Sequence, residues 1–267
     1  MVVATNAIEV NGTTLYYDEA GKGQPMLFIH GMCGDADTWA DQLRRLSTRF
    51  RCIAYDRRGH TRSPLGQFKQ RRVELHADDA AGLIAALDLA PCIIVGSSSG
   101  ARITLDVVRR YPSLVKGAVL SEPPLLSLDP AASKAFIGEI KSAVEAGMAQ
   151  GGPAAAVDAF FALVCPGFWP SLPEQRRNAY RANATEMFGD LTMPPYEVSQ
   201  ADLARIHVPC LAVSGSESDS LMRTISAVLA QAIPGAREVQ LAGSGHVTYA
   251  EKPDEFAAAV LDFVSQL

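Results

Sequence analysis

The stretch CIIVGSSSGARITLDVV, residues 92–108, decides the fold class of this chain. An apolar, β-branched run meets GSSSG (96–100), and a helical pattern begins at once. Strand, sharp turn and helix are the context in which G-x-S-x-G presents its middle residue at the end of a buried strand. The pattern predicts an exposed hydroxyl on Ser98, at a helix start whose positive end favours a developing anion. We expect Ser97 and Ser99 to face elsewhere.

Outward from this stretch, short apolar runs alternate with helix-length amphipathic segments. The strand-like runs cover 15–19, 26–30, 51–56, 92–96, 117–121, 210–215 and 237–242, and the helices cover about 36–46, 74–88, 98–110, 221–232 and 253–266. This alternation predicts an α/β fold with a mostly parallel, doubly wound sheet. The last five runs are near-continuous in apolar residues, so we expect those strands to be buried on both faces.

Length and composition bound the class of protein. The 267 residues suit one large domain, and 48% hydrophobic with 20% charged residues is the balance of a globule with a sizeable core. The formal net charge of −5 argues against a nucleic-acid partner, which needs a concentrated basic face. Arginine pairs at 44–45, 57–58 and 71–72 lie among acids, and we expect them on solvated faces.

No secretory leader and no membrane-length apolar run is evident, so we expect no membrane partner. Five cysteines without a CxxC pair indicate neither a metal site nor a redox motif. A reduced, cytoplasmic protein without a cofactor is the simplest interpretation, and a homodimer remains an open alternative.

One segment breaks the alternation. Residues 125–205, called the cap segment below, contain helix-like stretches but no convincing strand. An insertion of this size is too long for a plain loop in a compact domain. We therefore expect a helical cap over the strand ends, on a core made of 1–124 and 206–267. Its apolar side chains are candidates for a substrate pocket, although packing onto the core is the alternative for each: Phe160, Phe161, Phe168, Trp169, Tyr180, Met187 and Phe188.

A nucleophilic serine needs a base and preorganised donors for the oxyanion. His246 lies in a glycine loop between the last strand and the final helix, where its imidazole can reach the nucleophile. His30 follows a strand in FIHGMCG and is interpreted as ordering its own loop. The expected oxyanion donors are the backbone N–H groups of Met32 and Ser99.

The carboxylate that orients the histidine has two candidate positions. The turn after the LAVSG strand carries Ser218 where the acid is usual, with Glu217 and Asp219 on either side. The other position is Glu122, directly after the strand that follows the nucleophile helix. We favour Glu122, because Pro123 is expected to hold it in an extended conformation and a charge ending a buried strand needs a partner. Asp219 is the alternative acid.

Together these motifs resemble the α/β-hydrolase superfamily over nearly the whole chain. The matching segments are HGMCGDADTW (30–39), YDRRGHTRSP (55–64), VGSSSGA (95–101) and AGSGHVTYAEKP (242–253), with Thr61 where the family usually has glycine. The resemblance implies an α/β-hydrolase fold with a cap inserted after the sixth strand. Glu122 and the Ser-Ser-Gly after the elbow are also similar to the branch of zearalenone-type lactone hydrolases.

The resulting hypothesis is a cofactor-free serine hydrolase that acts on a small carboxylic ester or lactone, with Ser98, His246 and Glu122 as its triad. Perhydrolase or haloperoxidase-like chemistry and C–C bond hydrolysis use the same groups and stay open. A ligand sensor with little turnover is an alternative of another class. Cys33 follows Met32 and either lines the pocket, where thiol reagents would slow activity, or packs in the interior.

Overall fold

A computed structural model of the protein describes residues 3–67 and 71–267. Its strands are β1 (Ala4–Val10), β2 (Thr13–Ala20), β3 (Gln24–Ile29), β4 (Phe50–Tyr55), β5 (Cys92–Ser97), β6 (Val115–Ser121), β7 (Cys210–Gly215) and β8 (Arg237–Leu241). Within the described residues they form one eight-stranded sheet in the order β1-β2-β4-β3-β5-β6-β7-β8. The pairs β1–β2 and β2–β4 are antiparallel and the others are parallel, which confirms the α/β-hydrolase fold.

Two strands differ from expectation, both at the edges of the sheet. Strand β1 was not predicted, because its residues are mostly exposed and an edge strand on solvent lacks a continuous apolar run. The expectation that the run at 237–242 is buried on both faces was wrong. Strand β8 is the opposite edge, and its side chains alternate between partial and full exposure until Leu241.

The helices are α1 (Ala40–Leu46), α2 (Val73–Ala86), α3 (Ser99–Arg110), α4 (Pro130–Val164), α5 (Glu174–Ala182), α6 (Ala184–Leu191), α7 (Gln200–Leu203), α8 (Ser220–Ala232), α9 (Thr248–Glu251) and α10 (Pro253–Val264). Helices α2, α3 and α8 cover one face of the sheet and bury one apolar cluster with it. Helices α1 and α10 cover the other face, where Trp39 and Phe256 belong to a second cluster. The parallel strands are therefore buried between two helical layers, as their apolar runs predict.

The cap segment lies between β6 and β7. In the described residues it contains α4 to α7 and no strand. Helix α4 is interrupted at Gly151 and Gly152, where Gly152 has φ +71° and Pro153 follows. Side chains of the cap segment, including Phe160 and Trp169, join the second apolar cluster. Other residues of the segment, such as Tyr196, belong to the first cluster, so the segment contacts the apolar clusters on both faces of the sheet.

No helix in the described part of the chain combines the length and the apolar character needed to cross a membrane.

Candidate active site

Ser98 occupies the sharp turn between β5 and α3. Its backbone has φ 53° and ψ −124°, a conformation that is uncommon for a residue with a side chain. The Ser98 N–H donates to Ser121 O at 2.9 Å, which ties the turn to β6. Strain of this kind persists where the surroundings hold a functional group in place. The turn has the form that G-x-S-x-G predicts.

The glycines on either side of Ser98 are required by close packing. A Cβ on Gly100 would lie 2.1 Å from Ile29 O, and one on Gly96 would lie 2.3 Å from Thr104 Oγ1. Contacts this short do not occur between real atoms, so a side chain at either position would force α3 away from the sheet. The motif therefore sets the distance between helix and strand as well as the shape of the turn.

His246 and Glu122 form a hydrogen-bonded pair at the carboxyl end of the sheet. The distance from His246 Nδ1 to Glu122 Oε2 is 2.6 Å, and the Glu122 side chain is fully buried. An ionised carboxylate only accepts hydrogen bonds, so the Nδ1 of this pair carries the proton and Nε2 is left as an acceptor. His246 and Ser98 line the same two cavities, and Ser98 Oγ makes no hydrogen bond to any described residue.

Glu122 reaches across to β7, the next strand of the sheet. Its Oε1 accepts from the Gly215 N–H at 2.7 Å, and its Oε2 also accepts from Ser218 Oγ at 2.6 Å. The serine at the usual acid position thus donates to the carboxylate that arrives from β6. These donors satisfy the buried charge and fix the direction of the side chain.

The expected backbone of Glu122 was wrong. Pro123 was predicted to hold it extended, whereas Glu122 has φ +48°, in the left-handed region. Proline disfavours the right-handed helical region at the preceding residue but does not by itself select the extended one. The Glu122 N–H donates to Val213 O at 3.0 Å, and the carboxylate contacts hold the turn. The side chain is therefore positioned by these bonds and not by an extended backbone.

The alternative acids lie elsewhere. Asp219 is exposed and caps α8, where its Oδ1 accepts from the Leu221 N–H at 2.8 Å. Glu217 is exposed as well. Within residues 3–67 and 71–267, neither carboxylate forms a hydrogen bond or ion pair with His246.

The two predicted oxyanion donors, the backbone N–H groups of Met32 and Ser99, belong to residues that line a cavity together with Ser98. Ser99 is the first residue of α3, so its N–H has no acceptor in the helix ladder. Met32 lines both cavities with Ser98, and its N–H donates to no described residue. Both positions are consistent with donors that are free for a ligand oxygen.

A cavity of about 610 Å³ opens beside Ser98 and His246, next to a smaller one of about 40 Å³. Of the predicted pocket residues, Phe160 lines both cavities, and Phe161 and Trp169 line the smaller one. Met187 and Phe188 line neither. Met187 is fully buried in the second apolar cluster and Phe188 packs against that cluster, so for these two the packing alternative describes the structure.

The neighbours of Ser98 also border the cavities, contrary to expectation. Ser97 lines the smaller cavity and Ser99 the larger one. The turn is so tight that three consecutive residues reach the same space. The Ser99 Oγ is buried and has no hydrogen-bond partner among the described residues.

The pair Arg57-Arg58 was expected on a solvated face, and this was wrong. Both side chains are buried, with 0% and 1% relative exposure. Arg57 NH2 lies 3.1 Å from Oδ2 of Asp190 in α6, and Arg58 binds both carboxylate oxygens of Asp79. Carboxylates supplied by distant segments compensate the two buried charges, and composition alone does not show such pairing.

The loop at Thr61 is held by the cap segment. Thr61 stands where glycine is usual, and it has φ +46°. Asn183 accepts from the Thr61 N–H at 2.9 Å and donates to Thr61 Oγ1 at 3.0 Å and to Cys33 O at 3.0 Å. One amide therefore joins both loops beside the cavity and stabilises the left-handed threonine.

Cys33 is a packing residue in this structure. It is 1% exposed and lines neither cavity, and burial raises the pKa of its thiol. The other cysteines are buried too, and burial raises the pKa of Cys52, Cys92 and Cys210 to about 12. Since the thiolate is the reactive form, these thiols are protected both by access and by protonation.

We expect native protein to resist thiol reagents. Incubation with 5,5′-dithiobis(2-nitrobenzoate) at pH 8 should release almost no chromophore and leave activity unchanged, while unfolded protein should react at five thiols. Rapid inactivation of the native protein, with protection by substrate, would instead place Cys33 at the pocket.

Four charged residues that line the larger cavity were not predicted from the sequence: Arg102, Lys134, Asp190 and Glu197. Arg102 follows Ser98 by one helical turn, so helix periodicity could have placed it beside the nucleophile. Nothing in the local sequence of Asp190 indicates its contact with Arg57, which depends on cap packing. Among residues 3–67 and 71–267, no group of three or more His, Cys, Asp or Glu side chains could hold a metal ion.

Comparisons with known proteins identify the family of the chain. The family model described as "Alpha/beta hydrolase family" matches residues 26–259. The uncharacterized hydrolase YraK of Bacillus subtilis is 40% identical over 129 residues, a match that covers 48% of each chain and so about half the length of that relative. The 2-(acetamidomethylene)succinate hydrolase of Mesorhizobium japonicum is 27% identical, over 96% of this chain and 94% of that protein.

Solved structures show the same fold. The carboxylesterase CesB (YbfK) of Bacillus subtilis superposes with a TM-score of 0.81 at 18% sequence identity, over 99% of this chain and 92% of that one. At 18% sequence identity the similarity shows a shared fold alone.

Proposed function

The chain belongs to the α/β-hydrolase family, and from this premise we propose that it is a serine hydrolase that cleaves a carboxylic ester or lactone. The observation that carries the proposal is the hydrogen bond between His246 Nδ1 and buried Glu122, at the wall of the cavity that Ser98 lines. Members with a serine nucleophile need this pairing of a base with an orienting carboxylate.

In the proposed mechanism Ser98 Oγ attacks the substrate carbonyl and His246 Nε2 takes its proton. Glu122 keeps the imidazole oriented and stabilises the imidazolium that forms. The N–H groups of Met32 and Ser99 bind the oxyanion, and His246 returns the proton to the leaving alkoxide. Water that has given a proton to His246 then attacks the acyl group on Ser98. When the second tetrahedral intermediate breaks down, His246 returns this proton to Ser98 Oγ and the acid is released.

The positive helix end and the burial of the carboxylate support this assignment. Ser98 is the N-cap of α3, so the charge that develops on the oxyanion lies at the end of the helix that favours anions. The two hydrogen bonds that Glu122 receives from Gly215 and Ser218 fix the direction of its carboxylate, as its role requires. The aromatic cap residues Phe160 and Phe161 favour a moderately apolar acyl or alcohol group.

The proposal predicts turnover of p-nitrophenyl esters with covalent labelling at one residue. We expect a fluorophosphonate to add to wild type in a 1:1 ratio and abolish turnover, with the added mass on the peptide that contains Ser98. Ser98→Ala should gain no mass and lose activity, and Ser97→Ala should still be labelled. Labelling elsewhere, or an inert wild type on a panel of esters and lactones, would reject the hydrolase and favour the ligand-sensor alternative.

The cellular location is a separate proposal. All five cysteines are unpaired, and a chain with reduced thiols fits the cytoplasm. Cell fractionation with detection of the native chain tests this location.

A further inference from the structure

Arg102 lies one helical turn after Ser98 and lines the larger cavity together with Ser98 and His246. Its backbone N–H donates to Ser98 O at 3.1 Å, so the two residues are held in fixed relation by α3. The Arg102 guanidinium makes no hydrogen bond and no ion pair with any residue of the described ranges 3–67 and 71–267. Its Nε is buried without a partner.

A guanidinium that is withdrawn from water without a hydrogen-bond or ion-pair partner lowers the stability of the fold. Burial lowers the pKa of Arg102, and Asp190 offsets part of that effect. Arg102 nevertheless stays charged, because a guanidinium is not deprotonated in proteins. Arg102 is half-buried, and a cation withdrawn from water is normally compensated by an anion, as the fully buried Arg57 and Arg58 are in this protein. Arg102 lines the larger cavity, where its guanidinium can donate hydrogen bonds to a ligand.

The surrounding groups compensate the cation only in part. Asp190 borders the same cavity, where its Oδ2 is engaged by Arg57 and its buried Oδ1 has no hydrogen-bond partner among the described residues, Arg102 included. At the exposed rim Lys134 and Glu197 bring one charge of each sign. Ser99 also borders this cavity, and its buried hydroxyl has no hydrogen-bond partner among the described residues.

We propose that Arg102, assisted by the Ser99 hydroxyl, binds a carboxylate of the substrate, so that the substrate is an acidic ester or lactone. The inference rests on the proposed function and narrows its substrate class. A guanidinium fork matches two carboxylate oxygens, and a hydroxyl adds a third donor. One turn of helix separates Arg102 from Ser98 by about 6 Å along the axis, which suits an anion a few carbons from the scissile carbonyl.

The test compares two esters of one shape. Monoethyl glutarate carries the carboxylate, and ethyl 5-oxohexanoate replaces it with a neutral methyl ketone of similar size that is not hydrolysed. We expect wild type to prefer the acidic ester, and Arg102→Leu to lower the ratio of the two kcat/KM values by about 10²-fold. Arg102→Lys should keep part of the preference, because it retains the charge but loses the fork. Ser99→Ala should lower the ratio by roughly tenfold.

Lys134→Met is the matched control, since it removes a cation that lines the same cavity from its exposed rim. It should change the ratio by less than about threefold. An equal loss on both esters in Arg102→Leu would assign Arg102 a structural role and overturn the subsite. A larger Arg102 dependence with ethyl 4-phosphonobutanoate would overturn the choice of carboxylate and reassign the site to a phosphate-like anion.

The two proposals fail in different ways. Wild type that hydrolyses both esters without preference overturns the anion subsite and leaves the hydrolase intact. If no ester is hydrolysed, the hydrolase proposal fails, and calorimetric titration of glutarate into folded wild type and Arg102→Leu tests the subsite alone. Binding that needs Arg102 supports the subsite, and equal or absent binding overturns it.

Discussion

Glu122→Gln is expected to lower kcat for ester hydrolysis by about 10⁴-fold, the scale seen when the triad carboxylate becomes an amide. Glutamine keeps the shape of the side chain but carries no charge to stabilise the imidazolium on His246. It also offers an N–H₂ group where Ser218 and His246 now donate, which disfavours the present tautomer. Steady-state kinetics on a p-nitrophenyl ester, with circular dichroism to verify folding, measures the effect.

Asp219→Asn is the matched control, because it makes the same chemical change on the exposed acid nearest in sequence to the usual position. Its kcat should stay within about threefold of wild type, with a small loss of stability from the weaker cap on α8. A large loss of kcat in Asp219→Asn, with Glu122→Gln near wild type, would return the acid to the loop after β7.

A double variant tests whether a carboxylate at the usual position can replace Glu122. Glu122→Ala removes the carboxylate, and Ser218→Asp places one on the residue whose Oγ lies 2.6 Å from its present position. We expect the double variant to recover at least about tenfold in kcat over Glu122→Ala alone, because only the charge and the tautomer must be restored. No recovery would mean that the β6 position is required for the geometry.

Acidification is expected to unfold the protein steeply below about pH 6. Three histidines are buried, and burial followed by the positive charge of Arg57 lowers the pKa of each. The pKa of His76 falls to about 3, and those of His30 and His60 lie well below their usual value. The unfolded chain takes up these three protons near pH 6.5, whereas the folded protein does not.

The direction in which stability changes with pH follows from this difference in proton binding between the folded and unfolded states. Because the unfolded state binds more protons, stability decreases as the pH falls below 6.5, and it continues to decrease until the folded pKa values are reached. Each histidine contributes about 1.4 kcal/mol per pH unit, so three contribute roughly 4 kcal/mol per unit. Against a typical total of about 5–15 kcal/mol, this is enough to unfold the chain between about pH 6 and pH 4. Urea titrations at pH 7, 6 and 5 measure it.

His76→Leu isolates one of the three protons. Both ring nitrogens of His76 are buried without a partner among the described residues, so leucine removes a polar cost as well as a titrating group. The slope of unfolding free energy against pH should decrease by about one third, and stability at pH 7 should increase. His207→Gln, at an exposed histidine, should leave the slope unchanged. An unchanged slope in His76→Leu would show that His76 is protonated in the folded state.

The parts of this structure that depend on local sequence pattern could be predicted from the sequence. Continuous apolar runs located the central strands, and GSSSG located the turn of Ser98, because glycine spacing and strand-to-helix order are local properties. Glu122 was predicted as the acid because a charged residue at the end of a buried strand needs a partner. In the structure β7 lies next to β6, so the Glu122 carboxylate reaches Gly215 and Ser218.

Features that depend on distant contacts were not predictable. Arg57 and Arg58 look like solvated charges until α6 and α2 bring Asp190 and Asp79 to them. The left-handed backbone of Glu122 is fixed by bonds to another strand and not by its proline neighbour. Met187 could not be distinguished from a pocket residue, because apolar residues of a cap can face either the cavity or the core.

The bonds that Asn183 and Asp190 make to the core bear on attempts to change specificity by exchanging caps. These two side chains belong to the cap segment, yet they bind residues in the loops below it. Asn183 forms hydrogen bonds with Thr61 and Cys33, and Asp190 accepts from Arg57. A transplanted cap of different sequence would leave a buried guanidinium without its carboxylate and a left-handed threonine without its amide. Chimeras of this protein must therefore keep an aspartate and an asparagine at these places, or replace Thr61 with glycine and Arg57 with an uncharged residue at the same time.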